Sequence, residues 1–267
     1  MVPSSITNNL RITLAAMMIM LQDRWFIMMR GGFIVLWTIR PIFELAIAAL
    51  IHASGRTELV SYAVVGITAN AFIFSSIFWV GELLDRERMR GTLPALFLSP
   101  GARASWLGGF TLAGAAETLL SAAVVLTSGI LLFGVSFNVA WGSFLVVSVL
   151  FLLSLLGLGL MLGAVGLLVK QSNGLSNVAA PVVMLLGGIY FPVSELPDAL
   201  LIIARMLPLG YAIEALALST LSAAPLSEIG HLILPLAGFA IGLPVIGYLS
   251  IRWIDHVIRK QGTLDLY

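Results

Sequence analysis

The chain has no cysteine, two lysines and, over 267 residues, only 10% charged side chains. Each shortage excludes something. Without cysteine there is no disulfide, no thiolate metal site and no cysteine nucleophile. The lysines, Lys170 and Lys260, stand between Val169 and Gln171 and between Arg259 and Gln261. A phosphate-binding loop needs Gly-Lys-Ser/Thr, because its lysine must reach the phosphates from a glycine-rich turn. Neither lysine belongs to such a loop. The three histidines, His52, His231 and His256, are far apart, and there is no His-Glu-x-x-His pair or Gly-x-Ser-x-Gly elbow. No catalytic or metal-ligating residue is assigned, and no bound cofactor or nucleic-acid partner is expected.

The scarcity of charge fixes the class. An ordinary soluble domain carries about 25% charged residues, whereas here 60% are hydrophobic and the mean hydropathy is +1.06. A chain this apolar cannot cover its own surface with polar groups, so its outer surface must face lipid. A span needs roughly 20 apolar residues, and six spans with short links account for this length. The expectation is an all-α polytopic membrane protein with six transmembrane helices.

Three regions are expected. Residues 1–30 form an amphipathic helix lying in the membrane surface, since Leu10, Leu14, Met17, Met18 and Leu21 recur at helical spacing and Trp25 sits at an interfacial position. No small-residue cleavage site follows, which argues against a signal peptide. Residues 31–256 form the six-helix domain, with spans near 31–51, 59–83, 104–133, 141–169, 175–191 and 232–253. Residues 257–267 form a polar tail. The stretch 192–228 is broken by Pro197, Pro208 and Pro225. Its apolar pieces, 199–206 and 211–220, are too short to cross and suggest short helices dipping back into the bundle before the last span.

Orientation follows from lysine and arginine. With the N-terminus inside, eleven of the fourteen fall on the cytoplasmic side: Arg11, Arg24, Arg30, Arg86, Arg88, Arg90, Arg103, Lys170, Arg252, Arg259 and Lys260. Arg56 and Arg205 fall outside, and Arg40 lies within the first span. Both termini are therefore expected in the cytoplasm, and 192–228 on the external face.

The densest polar segment is 82–100, ELLDRERMRGTLPALFLSP. A bare positive-inside loop would explain Arg86, Arg88 and Arg90. It would not explain the alternating acids Glu82, Asp85 and Glu87, nor the apolar Leu93, Leu96, Phe97 and Leu98 that follow at once. A charged turn followed by a short amphipathic helix is the pattern of a docking element.

At this point the residues resemble a known family. Permeases of type-2 ABC exporters (the ABC-2 family, of the daunorubicin-resistance and polysaccharide-export type) carry after the second span a stretch similar to E-R-E-x-G-T-L-E-x-L-x-x-S-P. Arg86, Glu87, Arg88, Gly91, Thr92, Leu93, Leu96, Leu98, Ser99 and Pro100 follow that order, with Pro94 where the family often has glutamate. A second match is Gly187, Gly188, Phe191, Pro192, Leu196 and Pro197, then Pro208, Leu209, Tyr211, Glu214 and Ala215. These resemble the family's G-x-x-F-P-x-x-x-L-P and P-L-x-Y-x-x-E-A patterns. The tail Arg259 to Leu264 is similar to the family's basic C-terminus.

The resemblance implies a half-transporter in the cytoplasmic (inner) membrane of a prokaryote. A second copy or a paralogue would complete the substrate pathway as a dimer within the lipid. Two separate ABC ATPase subunits would bind ATP and Mg and supply the energy in trans. Glu82, Asp85, Arg86, Glu87, Arg88, Arg90, Gly91, Thr92, Leu93 and Leu96 would couple to them. Gly187, Gly188, Phe191, Pro192, Leu196, Pro197, Pro208, Tyr211 and Glu214 would belong to the outer gate and its re-entrant helices.

Arg40, Glu44 and Glu117 lie within spans, where an ionised group costs about 2.5–3.5 kcal/mol on insertion scales. Arg40 and Glu44 are four apart, on one helix face, so Arg40 is expected to pair with Glu44 or Glu117. The set is either a clamp between helices or a polar point on the substrate route. Gly159/Gly163 and Gly238/Gly242 have the spacing that lets helices approach closely, within one subunit or at a dimer seam. Phe72, Phe74, Phe78 and Trp79 either face lipid or line a greasy route. The alternative function is an ATP-independent carrier or channel using Arg40, Glu44 and Glu117, and a third is a membrane scaffold. No residue selects a substrate.

Overall fold

Apolar runs interrupted by short polar links become helices joined by short turns. A computed structural model describes residues 4–27, 40–80, 87–92, 103–169 and 172–261. Its helices are α1 (Ser4–Ile27), α2 (Arg40–Ala53), α3 (Thr57–Phe74), α4 (Arg103–Phe133), α5 (Trp141–Val169), α6 (Ser172–Leu186), α7 (Asp198–Arg205), α8 (Pro208–Leu221) and α9 (Gly230–Gln261). All regular structure among the described residues is helical, and the chain is an all-α polytopic membrane protein.

Among the described residues, four stretches are long and apolar enough to cross a bilayer: Glu58–Phe78, Leu112–Phe133, Trp141–Val169 and Gly230–Ile254. They match the second, third, fourth and sixth expected spans. The first and fifth are represented by shorter apolar helices, Phe43–Ala53 and Gly174–Leu186. Residues 31–39 of the expected first span lie outside the described residues. The fifth was expected to reach residue 191, but its helix stops at Leu186. There Gly187 and Gly188 turn the chain, with Gly188 at φ 70°. At 1.5 Å per residue the 15-residue α6 is about 22 Å long, short of the roughly 30 Å hydrocarbon layer.

The short helices expected in 192–228 are present. Pro197 precedes α7 and Pro208 opens α8, each where a missing N–H costs nothing. The two cross at 88°. α8 is buried along most of its length and joins the main core through Leu209, Ala212, Ile213 and Leu216. Its polar backbone is thus shielded by protein rather than offered to lipid.

α5 carries no charge and packs against α9, α8, α6 and the end of α3. The link 134–140 is tied down at one end of the bundle. Asn138 N–H donates to Thr220 O at 2.9 Å, Ala140 N–H to Ser219 O at 2.8 Å, and the Ser143 hydroxyl to Ala224 O at 2.8 Å. His52 meets Phe133 there, ring centroids 6.2 Å apart, so the ends of α2 and α4 close the same end.

α1 differs from a one-faced surface helix. Leu10, Leu14, Met18 and Leu21 do form one exposed apolar stripe. A second stripe, with Ala16 and Met20 buried, packs on α4 against Ala113 and Trp106. Of the expected glycine pairs, Gly159 and Gly163 are buried in α5, while Gly238 and Gly242 make no close approach within the subunit. A Cβ on Gly238 or Gly242 would meet nothing within 4 Å, whereas one on Gly157 would strike the Leu243–Pro244 backbone. One on Gly247 would lie 2.8 Å from Gly157 O. The inward stripe of α9 is Leu236, Ala240, Ile251 and Ile254; Gly247 shares that face, and Gly238 and Gly242 point away from it.

Candidate functional site

The start of the docking segment is outside the described residues, as are Glu82, Asp85, Arg86, Leu93 and Leu96. What is described, 87–92, is a capped helix end. Thr92 N–H donates to Glu87 O at 3.0 Å and Gly91 N–H to Arg88 O at 2.9 Å. These are the paired bonds of a Schellman stop, with Gly91 at the position that must turn left-handed, φ 71°. The Thr92 hydroxyl donates to the Glu87 carboxylate, and Arg90 Nη1 lies 3.7 Å from Glu87 Oε1. Glu87 is 8% exposed, while Arg90, Gly91 and Thr92 are exposed. Arg90, Gly91 and Thr92 therefore form an exposed, hydrogen-bonded turn built over a buried carboxylate.

Chain-wise before it, α3 continues into a wide π-helical turn, Ser75–Val80. Such a turn releases backbone groups from the regular ladder. Ile77 O is reached by the Ser176 hydroxyl of α6 at 3.4 Å. Phe74 and Phe78 stack there, centroids 4.3 Å apart, and Phe72 turns inward against Phe151. Phe72 is thus core rather than lipid-facing; Trp79's side chain lies outside the described residues.

The second set of expected residues gathers around the turn after α6. Leu186, Val193, Leu196 and Ala204 bury one another, with Phe191 packed on them. Pro192 caps the short turn Val193–Glu195, and Pro197 O accepts from Leu200 and Leu201 N–H at 2.9 Å. A Cβ on Gly188 would lie 2.7 Å from Val193 Cγ2, and one on Gly187 2.7 Å from Leu209 Cδ2. One on Gly66 of α3 would overlap Ile189 O, so α3 touches this turn by its backbone. Arg205 and Glu214 form an ion pair at 3.7 Å across the α7–α8 bend. The Tyr211 hydroxyl donates to Arg205 O at 3.1 Å, and the Arg205 guanidinium stands 5.3 Å from the Tyr211 ring centre. The structure thus brings Gly187, Gly188, Phe191, Pro192, Leu196, Pro197, Pro208, Tyr211 and Glu214 into one neighbourhood.

Of the intramembrane set, Glu44 accepts a hydrogen bond from Asn70 Nδ2 at 2.9 Å, linking α2 to α3. The side chains of Arg40 and Glu117 lie outside the described residues. Asn70 is absent from the sequence-based site. It is fully buried, and among the described residues its Oδ1 has no hydrogen-bond partner. A lone amide inside the apolar run 59–80 was the signal, because a polar group in a span needs a partner.

The ABC-2 type transporter family model matches residues 15–220, from within α1 to the last turn of α8. The chain belongs to the ABC-2 type transporter family. No curated protein matches it. As a member, it is a permease component of an ABC transporter, embedded in a membrane by several helices.

Proposed function

We propose that the chain is one half of an exporter, forming its substrate pathway with a second copy or a paralogue. Separate ATPase subunits bind ATP and Mg and dock on 82–100, so the energy enters in trans and this chain performs no hydrolysis. The cell is a prokaryote, and both termini face its cytoplasm, an orientation that the arginine and lysine bias supports. The α7–α8 bend with its Arg205–Glu214 pair then lies at the outer mouth.

The observation that carries this reading is the Glu87–Thr92 turn. A Schellman-stopped helix end over a buried carboxylate offers a partner a surface of defined shape, which a flexible loop does not. Gly91 faces open space, so its glycine serves backbone shape and partner fit rather than internal packing.

The test is capture of the ATPase encoded beside the gene, from mild detergent, by tagged wild type and by Gly91→Val. Valine at a positive φ is strained and disturbs the turn without touching the bundle. Capture by wild type and loss in the variant, with equal thermal stability of the two chains, supports the reading. No capture by well-folded wild type overturns it and favours ion-coupled transport.

A further inference from the structure

Helices α3, α4, α5 and α8 leave a cavity of about 190 Å³ between them. Val65, Ala69 and Phe72 line it from α3, Leu119 and Ala122 from α4, and Phe151 from α5. Its origin is in the packing. α4 leans on α1 and α3, and α5 leans on α9 and α8, while α4 and α5 scarcely meet although 134–140 joins them. Phe72, Ala122 and Phe151 are buried in its depth. Leu119, 62% exposed, marks its mouth, together with the exposed Ala123.

The lining offers almost nothing polar. No charged residue contributes to it. Thr68 donates its hydroxyl to Val64 O at 2.8 Å and Thr220 to Leu216 O at 2.6 Å, so each turns only its methyl to the space. The half-exposed Ser148 is the remaining hydroxyl. An aliphatic cavity of about 150 Å³ stays dry yet takes up benzene; this one is larger and equally apolar. Its mouth is continuous with the exposed apolar surface of two spans, Leu119 and Leu120 on α4, Leu145 and Val149 on α5. The medium at that surface is hydrocarbon, and the apolar group it supplies in bulk is a flexible alkyl chain.

We propose that the cavity is a binding site for one acyl chain of a membrane phospholipid, which enters sideways between α4 and α5. The headgroup stays outside, because the lining has no cation to hold a phosphate. The bound chain fills the gap between α4 and α5, which scarcely meet, and so ties α4 to the α5–α8 pair. The site requires only the spans, and stands whether or not an ATPase drives the protein.

The test uses the full chain in vesicles of phosphatidylethanolamine and phosphatidylglycerol doped with a phospholipid carrying a diazirine on one acyl chain. After irradiation, adducts are mapped by mass spectrometry. Adducts are expected on Phe72, Ala122 or Phe151, which surrounding lipid cannot touch, as well as on the exposed reference residues Leu131 and Leu234. Ala123→Trp at the mouth and Ala122→Leu within should each reduce the buried adducts severalfold and leave the reference adducts unchanged. Ala123 is exposed, so its replacement leaves the core intact. Adducts confined to the reference residues, or buried adducts that persist in both variants, overturn the proposal. So does rapid disulfide coupling of two chains through Ala123→Cys, read out in this cysteine-free background, because a second copy would then cover the mouth.

Discussion

Asn70 donates its side-chain amide to the carboxylate of Glu44 over 2.9 Å, joining α2 to α3 inside the apolar part of the bundle. Asn70 is fully buried, and among the described residues its acceptor oxygen has no partner. Asn70→Ala should lower the unfolding free energy in detergent by about 0.5–1.5 kcal/mol, the usual net contribution of one hydrogen bond, since Glu44 is half-buried and keeps another interaction. Asn70→Asp should cost more, since two carboxylates would face each other. Thermal unfolding by fluorescence checks the order; Asn70→Asp more stable than Asn70→Ala would contradict it.

The contact of α5 with α9 rests on Gly157 and Gly247, not on Gly238 and Gly242. Gly157→Val should separate the helices and destabilise by roughly 1–3 kcal/mol or more, the usual cost of overpacking. Gly242→Val, facing open space, should shift stability only by its local helix preference, a few tenths of a kcal/mol. Melting temperatures of the two variants side by side decide this.

Thr92 bonds to Glu87 through both its hydroxyl and its backbone N–H. Thr92→Val keeps the backbone bond and removes the donor to the carboxylate. The expected outcome is a loss of about 1 kcal/mol in unfolding free energy, from the donor removed from the buried carboxylate, with weaker ATPase capture and slower export by the folded variant. Undiminished capture by the folded variant would show that the threonine serves only the stability of the turn.

Arg205 and Glu214 are each more than a third exposed at 3.7 Å. Such a pair contributes about 0.2–1 kcal/mol at most and weakens in salt. A double-mutant cycle with Arg205→Leu and Glu214→Leu should give a coupling energy in that range, falling at 1 M salt. Tyr211→Phe should cost about 1 kcal/mol by freeing Arg205 O. A salt-independent coupling above 2 kcal/mol would place the pair in a far drier site than the structure does.

Composition and charge distribution alone determined that this chain is helical, embedded in a membrane and threaded several times, because no other arrangement hides so much apolar surface. Pro197 and Pro208 likewise marked where 192–228 breaks into short helices, because proline is at home at a helix opening, although Pro181, Pro235 and Pro244 stand inside α6 and α9. The motif glycines at 91, 187 and 188 were legible through the family resemblance; the structure supplies the reason, since Gly91 and Gly188 sit at positive φ and Gly187 sits where α8 comes too close for a Cβ. Tertiary structure decided what periodicity cannot encode: how far each helix is rotated about its own axis. That rotation turned Gly238 and Gly242 outward, brought Gly157 against Pro244, and set Asn70 opposite Glu44. It also left the gap between α4 and α5 that no reading of either helix alone could show.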